Sequence, residues 1–285
     1  MFGRNEIVGQ KYFNDAGEKL FITSIFYTLQ GEGPYRGEPA VFVRLAKCNL
    51  ACSFCDTYFD GGDWLTTEEI DQRIDRAIVT HFNGEVPEWL QHTAEHKRRC
   101  VLVVTGGEPM LQKNLVPFLH HMNQQFAHTQ IESNGTVWQD IPDETTLVCS
   151  PKCLEKNGNP VKYLQPNQDV MDRADCLKFV MSADQDSPYS NIPDWAHAYA
   201  AAGKKVFISP MNIYNREPQK SKQLRTAKND ISIEERSAVD EVISFWEEGL
   251  LNMPDNQKNH EYAARYCASN GFVLNLQIHL YASLA

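Results

Sequence analysis

The chain has 285 residues, of which 42% are hydrophobic and 11% aromatic, the composition of an ordinary globular protein with a sizeable core. Its net charge of −10 disfavours a nucleic acid as the main partner. Because the sequence contains no apolar run of eighteen residues and no apolar signal-peptide core, we expect a cytoplasmic protein without a membrane span.

Short apolar and β-branched runs alternate with helical patterns along the chain. Predicted strands lie at 40–47, 100–106, 129–133, 145–150, 176–182, 204–209 and 271–279. Several of them are apolar on consecutive residues, the pattern of strands in a parallel sheet. Predicted helices lie at 66–78, 111–122 and 232–250, the first and the last opening with a capping-box pattern. This alternation predicts a single α/β domain over 1–285, with polar surface insertions near 155–169 and 214–230.

Three of the eight cysteines, Cys48, Cys52 and Cys55, form a C-x3-C-x2-C loop. Clustered cysteines in a reducing compartment are metal ligands more often than disulfides. A structural zinc site needs four ligands, and no second pair follows at the usual spacing. A [4Fe–4S] cluster held by three thiolates keeps one iron open for a small molecule. The spacing therefore favours a reactive cluster, with a zinc site completed elsewhere or a chance grouping as the alternatives.

The cysteine loop resembles the signature of radical S-adenosylmethionine (SAM) enzymes, in which an aromatic residue, here Phe54, precedes the last cysteine. In that superfamily SAM chelates the open iron, and one electron cleaves it to a radical that takes a hydrogen atom from the substrate. The stretch TGGEP (105–109) follows an apolar run, and its two glycines let the backbone approach a ligand closely. A similar stretch meets the SAM amino group in radical SAM enzymes.

Longer blocks resemble the 7-carboxy-7-deazaguanine synthase family and occur in that family's order: 26–57, 105–109, 131–136, 148–152, 177–180 and 276–279. The resemblance implies a modified, incomplete (β/α) barrel of the radical SAM type with mostly parallel strands. It implies a lyase that converts 6-carboxy-5,6,7,8-tetrahydropterin to 7-carboxy-7-deazaguanine with release of ammonia, as in queuosine biosynthesis. It further implies a [4Fe–4S] cluster, SAM, Mg2+, an electron donor such as flavodoxin or ferredoxin, and a homodimer.

The resemblance also assigns roles position by position. Cys48, Cys52 and Cys55 would bind the cluster, and Thr57 would bind Mg2+. The SAM site would be lined by Phe54, Asp56, Gly107, Ser150, Pro151, Lys152, Ser209 and Asn212. The pterin would contact Leu29, Gln30, Gly31, Arg44 and Thr105. Of these, Arg44 has the permanent charge and the two-pronged geometry that suit a carboxylate.

Some residues leave alternatives open. Cys149 and Cys153 could hold a second cluster, although a buried neutral thiol fits the strand end at Cys149 better. Glu32 and Glu38 could form a general acid–base pair, or they could lie in a turn or at the substrate rim. The rival functions are another radical SAM enzyme, such as a glycyl-radical activating enzyme with a protein partner, and a non-catalytic iron–sulfur or zinc protein.

Overall fold

The computed structural model describes residues 5–55, 57–216, 232–238 and 244–284. Its strands are β1 (Leu20–Leu29), β2 (Pro39–Leu45), β3 (Asp63–Leu65), β4 (Arg98–Gly106), β5 (Phe126–Ser133), β6 (Thr145–Cys149), β7 (Cys153–Lys156), β8 (Asn159–Tyr163), β9 (Cys176–Met181), β10 (Lys205–Pro210) and β11 (Val273–Leu274). Its α-helices are α1 (Thr67–His81), α2 (Leu115–Gln125), α3 (Gln168–Arg173), α4 (Asp194–Ala201), α5 (Ile233–Ala238), α6 (Met253–Asn270) and α7 (Ile278–Ala282). Short 3-10 turns lie at Gln10–Phe13, Glu88–Leu90, Pro109–Leu111 and Pro188–Ser190.

One large sheet organises these elements, with the strand order β11-β10-β9-β6-β5-β4-β2-β1-β3. In this sheet β2, β4, β5, β6, β9, β10 and β11 pair in parallel, whereas β1 pairs antiparallel with both β2 and β3. The sheet, as far as the structure describes the chain, has β11 and β3 as its two edges. The prediction of a mostly parallel α/β fold that forms an incomplete barrel is confirmed.

Six of the seven predicted strands are confirmed, with ends that move by up to three residues. The prediction for 271–279 is wrong beyond its first residues, because only Val273–Leu274 pairs with β10. The next residue, Asn275, turns its side chain to the backbone amide of Gly33 at 2.9 Å, and α7 begins at Ile278. The strands β1, β3, β7 and β8 are absent from the prediction.

Predicted helix starts are accurate where a capping residue defines them. Thr66 and Glu69 form the reciprocal capping box at the start of α1. Ser232 and Glu235 do the same for α5, with Glu235 N donating to Ser232 Oγ at 3.2 Å and Ser232 N to Glu235 Oε2 at 2.8 Å. Residues 239–243 lie outside the described residues. From 244 to 250 the chain forms turns, so the prediction of a helix as far as 250 is wrong there.

The helix predicted at 111–122 begins later, at Leu115. A 3-10 turn over Pro109–Leu111 occupies the preceding residues. Pro117 is the third residue of α2, where the backbone N–H has no partner in the helix, so the proline costs no hydrogen bond.

The structure describes all of the polar segment 155–169 but only the beginning of the polar segment 214–230. The segment 155–169 contributes to an antiparallel hairpin of β7 and β8 and to the start of α3. Of the segment 214–230, only residues up to 216 lie within the described residues. No helix in the described ranges is long and apolar enough to cross a bilayer.

Candidate active site

A cavity opens where the parallel strands end. Its walls come from the last residues of β4, β5 and β10, the residue after β6, and the loop that follows β2. The empty space is ≈ 1070 Å³ including the open mouth, which is room for more than one small molecule. Ligand sites in parallel α/β folds lie at this edge of the sheet, so the position is the expected one.

The cavity collects most residues that the sequence assigns to the cluster and SAM. Cys48, Cys52 and Cys55 all line it. Six of the eight predicted SAM residues also line it: Phe54, Gly107, Ser150, Lys152, Ser209 and Asn212. Pro151 is buried and is not part of the lining, and Asp56 lies outside the described residues.

A second cavity adjoins the first and holds the residues assigned to the pterin. Leu29, Gln30, Gly31, Arg44 and Thr105 all line it. The two cavities share part of their lining, including Thr57, Thr105 and Glu132. The predicted cofactor set and the predicted substrate set therefore lie side by side, with Thr57 in the wall common to both.

The cysteine loop is held by a polar network on one side. Leu50 N donates to Cys48 Sγ at 3.4 Å, and Asn134 Nδ2 donates to the side-chain oxygen of Asn49 at 2.9 Å. Burial, reinforced by the nearby Glu108, raises the pKa of Cys48 to about 12. Burial also raises the pKa of Cys52 to about 11. Both thiols are neutral at physiological pH until a metal displaces their protons.

The glycines of TGGEP are required by the chain that leads into the cysteine loop. A Cβ on Gly106 would lie 2.1 Å from Leu45 O, and one on Gly107 would lie 1.7 Å from Lys47 O. The backbones are joined here, because Gly107 N donates to Leu45 O and Glu108 N to Lys47 O, each at 2.9 Å. Close approach explains both glycines, but the neighbour in the structure is the backbone before Cys48, whereas the sequence predicted a ligand. Gly107 lines the cavity as well.

Glu108 braces the floor of the site. The residue is fully buried, and its carboxylate accepts hydrogen bonds from Met110 N at 3.0 Å, Ser133 Oγ at 2.9 Å and Asn134 N at 2.7 Å. Burial raises the pKa of Glu108 to about 6, although these hydrogen bonds act in the opposite direction. Its bonds tie the end of β4 to the end of β5.

A group of charges lies between the cavities and consists of the buried Lys178 and two partly buried glutamates, Glu32 and Glu132; we call it the charge triad. Lys178 Nζ donates to Glu32 Oε2 at 2.9 Å and to Glu132 Oε2 at 2.8 Å. Ser209 Oγ donates to the other oxygen of Glu32 at 3.1 Å. Burial acts to raise the pKa of Glu32, but the charge and hydrogen bond of Lys178, together with His279 and the Ser209 hydrogen bond, outweigh it and the net pKa is lowered. For Lys178, burial acts to lower the pKa, and the two carboxylates raise it overall.

The charge triad is the part of the site that sequence reasoning missed. Glu38, the suggested acid–base partner of Glu32, is exposed, whereas Glu32 pairs with Lys178. The signal was present in the sequence for Lys178, which is a charged residue inside the otherwise apolar predicted strand 176–182; Glu132 lies in a more polar predicted strand, 129–133, and gives no such signal. A charged residue in an apolar strand is seldom buried without a partner.

Arg44 and Thr57 are linked in the wall between the cavities. Arg44 Nη1 donates to Thr57 Oγ1 at 2.9 Å, and the guanidinium carbon lies 5.1 Å from the centre of the Phe26 ring. The ring and the hydroxyl group thus fix an arginine beside the second cavity. A carboxylate entering that cavity would meet a positioned cation.

Cys149 and Cys153 are buried thiols, at 0% and 2% exposure, and neither lines the cavity. Burial raises the pKa of each to about 12.

The donor set fits the cluster and SAM. Three thiols share one cavity, and Oδ1 of Asn212 in the same cavity is buried without a hydrogen-bond partner. That oxygen can accept a hydrogen bond from a ligand amine, and a buried acceptor gains from such a partner. No group of three His, Cys, Asp or Glu side chains within the described ranges is placed to hold a single metal ion.

No family model matches the chain. Among curated proteins, the chain is 35% identical to the 7-carboxy-7-deazaguanine synthase of Rhodospirillum rubrum over 217 residues, which is 75% of this chain and 79% of the relative. It is 31% identical to the 7-carboxy-7-deazaguanine synthase of Rickettsia prowazekii over 82% of this chain and 87% of the relative. The crystal structure of QueE from Escherichia coli shares the fold, with a TM-score of 0.55, 19% identity, and coverage of 95% of this chain and 99% of QueE.

Proposed function

The chain belongs to the 7-carboxy-7-deazaguanine synthase family of radical SAM lyases, and we propose that its two adjoining cavities carry out that family's reaction. The product is 7-carboxy-7-deazaguanine, in queuosine-type biosynthesis. The substrate is 6-carboxy-5,6,7,8-tetrahydropterin, and ammonia is released. Family membership decides against the two rival functions, a glycyl-radical activating enzyme and a non-catalytic iron–sulfur protein.

The first cavity binds the cluster and SAM. Cys48, Cys52 and Cys55 ligate three irons of a [4Fe–4S] cluster, and Asn212 supplies an acceptor to SAM. Phe54, Gly107, Ser150, Lys152 and Ser209 form the surrounding wall, with Pro151 behind it and Asp56 next to Cys55 in the sequence. When bound, the cluster and SAM supply the radical that removes a hydrogen atom from the substrate.

The second cavity binds the pterin. Arg44 is held by Thr57 and Phe26 in position to grip the substrate carboxylate. Leu29, Gln30 and Gly31 line one side of the cavity, and Thr105 lies in the wall shared with the SAM cavity. The shared wall brings the substrate next to the source of the radical, so that water need not separate them.

Mg2+ and the remaining partners complete the proposal. Thr57 supplies an oxygen ligand to Mg2+, whose other ligands would be substrate oxygens and water. Thr57 Oγ1 already accepts a hydrogen bond from Arg44, so Mg2+ bound to Thr57 would lie close to the Arg44 guanidinium. The substrate carboxylate would have to lie between Mg2+ and Arg44 to screen their repulsion. The protein would work in the cytoplasm as a homodimer, and a flavodoxin or ferredoxin would deliver the electron.

One observation carries the proposal: all five predicted pterin residues line one cavity, and all three cysteines line the cavity next to it. The test is anaerobic reconstitution with iron and sulfide, followed by turnover with dithionite, SAM, Mg2+ and 6-carboxy-5,6,7,8-tetrahydropterin. We expect about four irons per chain, SAM cleavage that depends on the pterin, and the deazapurine as the product by mass spectrometry.

A matched pair of cysteine variants controls this experiment. Cys52→Ala should abolish SAM cleavage, whereas Cys267→Ala, a buried cysteine on α6 outside both cavities, should retain the cluster and activity. Full SAM cleavage by Cys52→Ala would refute the cluster assignment. SAM cleavage without the deazapurine would refute the substrate assignment.

A further inference from the structure

The hairpin of β7 and β8 is built by a local turn signal. Asn157 and Gly158 form the two-residue connection between Lys156 and Asn159, and both have positive φ, at +53° and +79°. An Asn-Gly pair of this kind is a strong hairpin signal, because both central residues of the tight turn need positive φ. The hairpin therefore projects β7 as a defined strand next to the cysteine loop.

Glu155 on β7 reaches the cysteine loop directly. Its Oε2 accepts a hydrogen bond from Ser53 N at 2.8 Å, and its Oε1 accepts one from Ser53 Oγ at 3.2 Å. Ser53 follows Cys52 in the sequence. The carboxylate thus holds the middle of the loop between the second and third cysteines, across 102 positions of sequence.

Tyr189 supports both sides of this contact. Its hydroxyl donates to Glu155 Oε1 at 3.4 Å and accepts from Cys153 N at 3.0 Å. Its ring meets the ring of Phe54 edge to face, with centres 5.1 Å apart. Tyr189 is 1% exposed, so the carboxylate and the cysteine loop are braced by one buried side chain.

This arrangement has two electrostatic consequences for a cluster at the three cysteines. The negative charge of Glu155 near the Cys52 ligand opposes the addition of an electron, while the positive charge of Lys152 acts in the opposite direction and more strongly on Cys52. The Ser53 N–H is committed to Glu155, so it does not donate to a cluster sulfur. Net charge and N–H···S hydrogen bonds are both levers on the potential of iron–sulfur clusters.

We propose that Glu155 is a positioning residue that fixes the cysteine loop through Ser53 and lowers the reduction potential of the cluster, which makes the bound cluster a stronger reductant toward SAM. The proposal rests on the proposed function, because it needs a cluster at Cys48, Cys52 and Cys55.

The test is an anaerobic redox titration of the reconstituted protein, followed by electron paramagnetic resonance. Glu155→Gln removes the charge and keeps an amide oxygen for Ser53 N. Its cluster should have a higher midpoint potential than the wild type, with the same iron content and slower SAM cleavage. Glu155→Asp keeps the charge and should lie nearer the wild-type potential. Glu95→Gln, an exposed glutamate outside both cavities, is the matched control and should not change it.

Tyr189→Phe gives an independent test of opposite sign. The variant removes a donor from the Glu155 carboxylate and keeps the ring against Phe54, so the negative charge is less compensated and the midpoint potential should fall. Tyr189→Phe tests the effect of Glu155 on the midpoint potential if Glu155→Gln does not retain its cluster. A Tyr189→Phe potential at or above the wild-type value in that case would overturn the proposal.

The outcomes distinguish a failure of the proposed function from a failure of the role proposed for Glu155. A wild-type protein that takes up no cluster refutes the proposed function. A loaded wild type whose potential is unchanged by Glu155→Gln, or is raised as much by Glu155→Asp, refutes only the role of Glu155. A rise in Glu155→Gln that exceeds both Glu155→Asp and Glu95→Gln supports it.

Discussion

Replacing Lys178 with methionine tests the charge triad. The change keeps an unbranched side chain that is one atom shorter and removes the ammonium group that donates to Glu32 at 2.9 Å and to Glu132 at 2.8 Å. The side chains of these three residues are 7%, 16% and 17% exposed, so the two carboxylates cannot regain full hydration in place. Removing one partner from a buried ion pair costs about 3–5 kcal/mol. At about 2 °C per kcal/mol for a chain of this size, the melting temperature should fall by roughly 6–10 °C.

The loss depends on pH, with a sign that the pKa shifts determine. The lowered pKa of Glu32 contributes stability that is present above its ordinary pKa of 4.5 and is lost as the pH falls through the lowered value. The raised pKa of Lys178 contributes stability that is present below 10.5 and is lost as the pH rises through the raised value. Wild type therefore keeps the full contribution between these limits. In Lys178→Met the lysine no longer opposes the effect of burial, so the pKa of Glu32 rises. The loss of stability relative to wild type is then full at pH 8, where Glu32 is ionised, and smaller at pH 5, where Glu32 takes up a proton.

Thermal unfolding of the anaerobically loaded protein at pH 8 and pH 5 measures this deficit. Lys47→Met is the control, because Lys47 is equally buried but its nearer partner, Glu6, is 66% exposed and returns to water when the lysine is removed, and its second partner, Asp60, lies 4.0 Å away. We expect a loss of only about 1 kcal/mol for the control. A Lys178→Met deficit that is equal at both pH values, or no larger than that of Lys47→Met, would refute the electrostatic reasoning.

Three further changes probe the walls of the site. Gly107→Ala places a Cβ 1.7 Å from Lys47 O and should cost about 3 kcal/mol or more in urea unfolding, whereas Gly9→Ala, with no atom within 4 Å, should be nearly neutral. Thr57→Ala should raise the Mg2+ concentration needed for half-maximal activity, and an unchanged metal response would remove Thr57 from its proposed role. The raised pKa of Glu108 means that wild-type stability falls by about 2 kcal/mol as the pH rises from 4.5 to about 6, because the buried carboxyl group must ionise; unfolding of Glu108→Gln across that range should lack this fall.

The parallel part of the sheet is predictable because its strands are buried on both faces. Strands such as β4 and β9 are then apolar on consecutive residues, and this pattern survives whatever the tertiary partners are. The strand β1 escapes the same reasoning because it interleaves Thr23, Ser24 and Thr28, which are buried in the fold but polar in the sequence. Thr23 Oγ1, for example, donates to Gly61 O at 3.0 Å, a partner that only the folded chain supplies.

The cysteine loop is predictable because ligand spacing is a property of a few adjacent residues, and Cys48, Cys52 and Cys55 line one cavity. The glycine pair signals a close approach in the sequence, but its partner, the backbone of Leu45 and Lys47, is supplied only by the fold. The charge triad is different, because Lys178 lies 146 positions from Glu32 and 46 from Glu132. Its parts become a unit only when β5 and β9 flank β6 and the loop after β1 folds over them.

The hairpin of β7 and β8 makes a contact that polarity alone does not indicate. Residues 155–169 are polar enough to be assigned to solvent, yet the Asn157–Gly158 turn signal predicts a hairpin, and a hairpin presents alternate residues to opposite sides. Glu155 uses its side to hold Ser53, while Lys156, the next residue, is exposed. Polar residues in an α/β chain are therefore as available for bracing a cofactor loop as for facing water. The strand register decides whether such a residue braces the loop or faces water. A turn signal sets this register locally, even though the contact between Glu155 and Ser53 spans 102 positions.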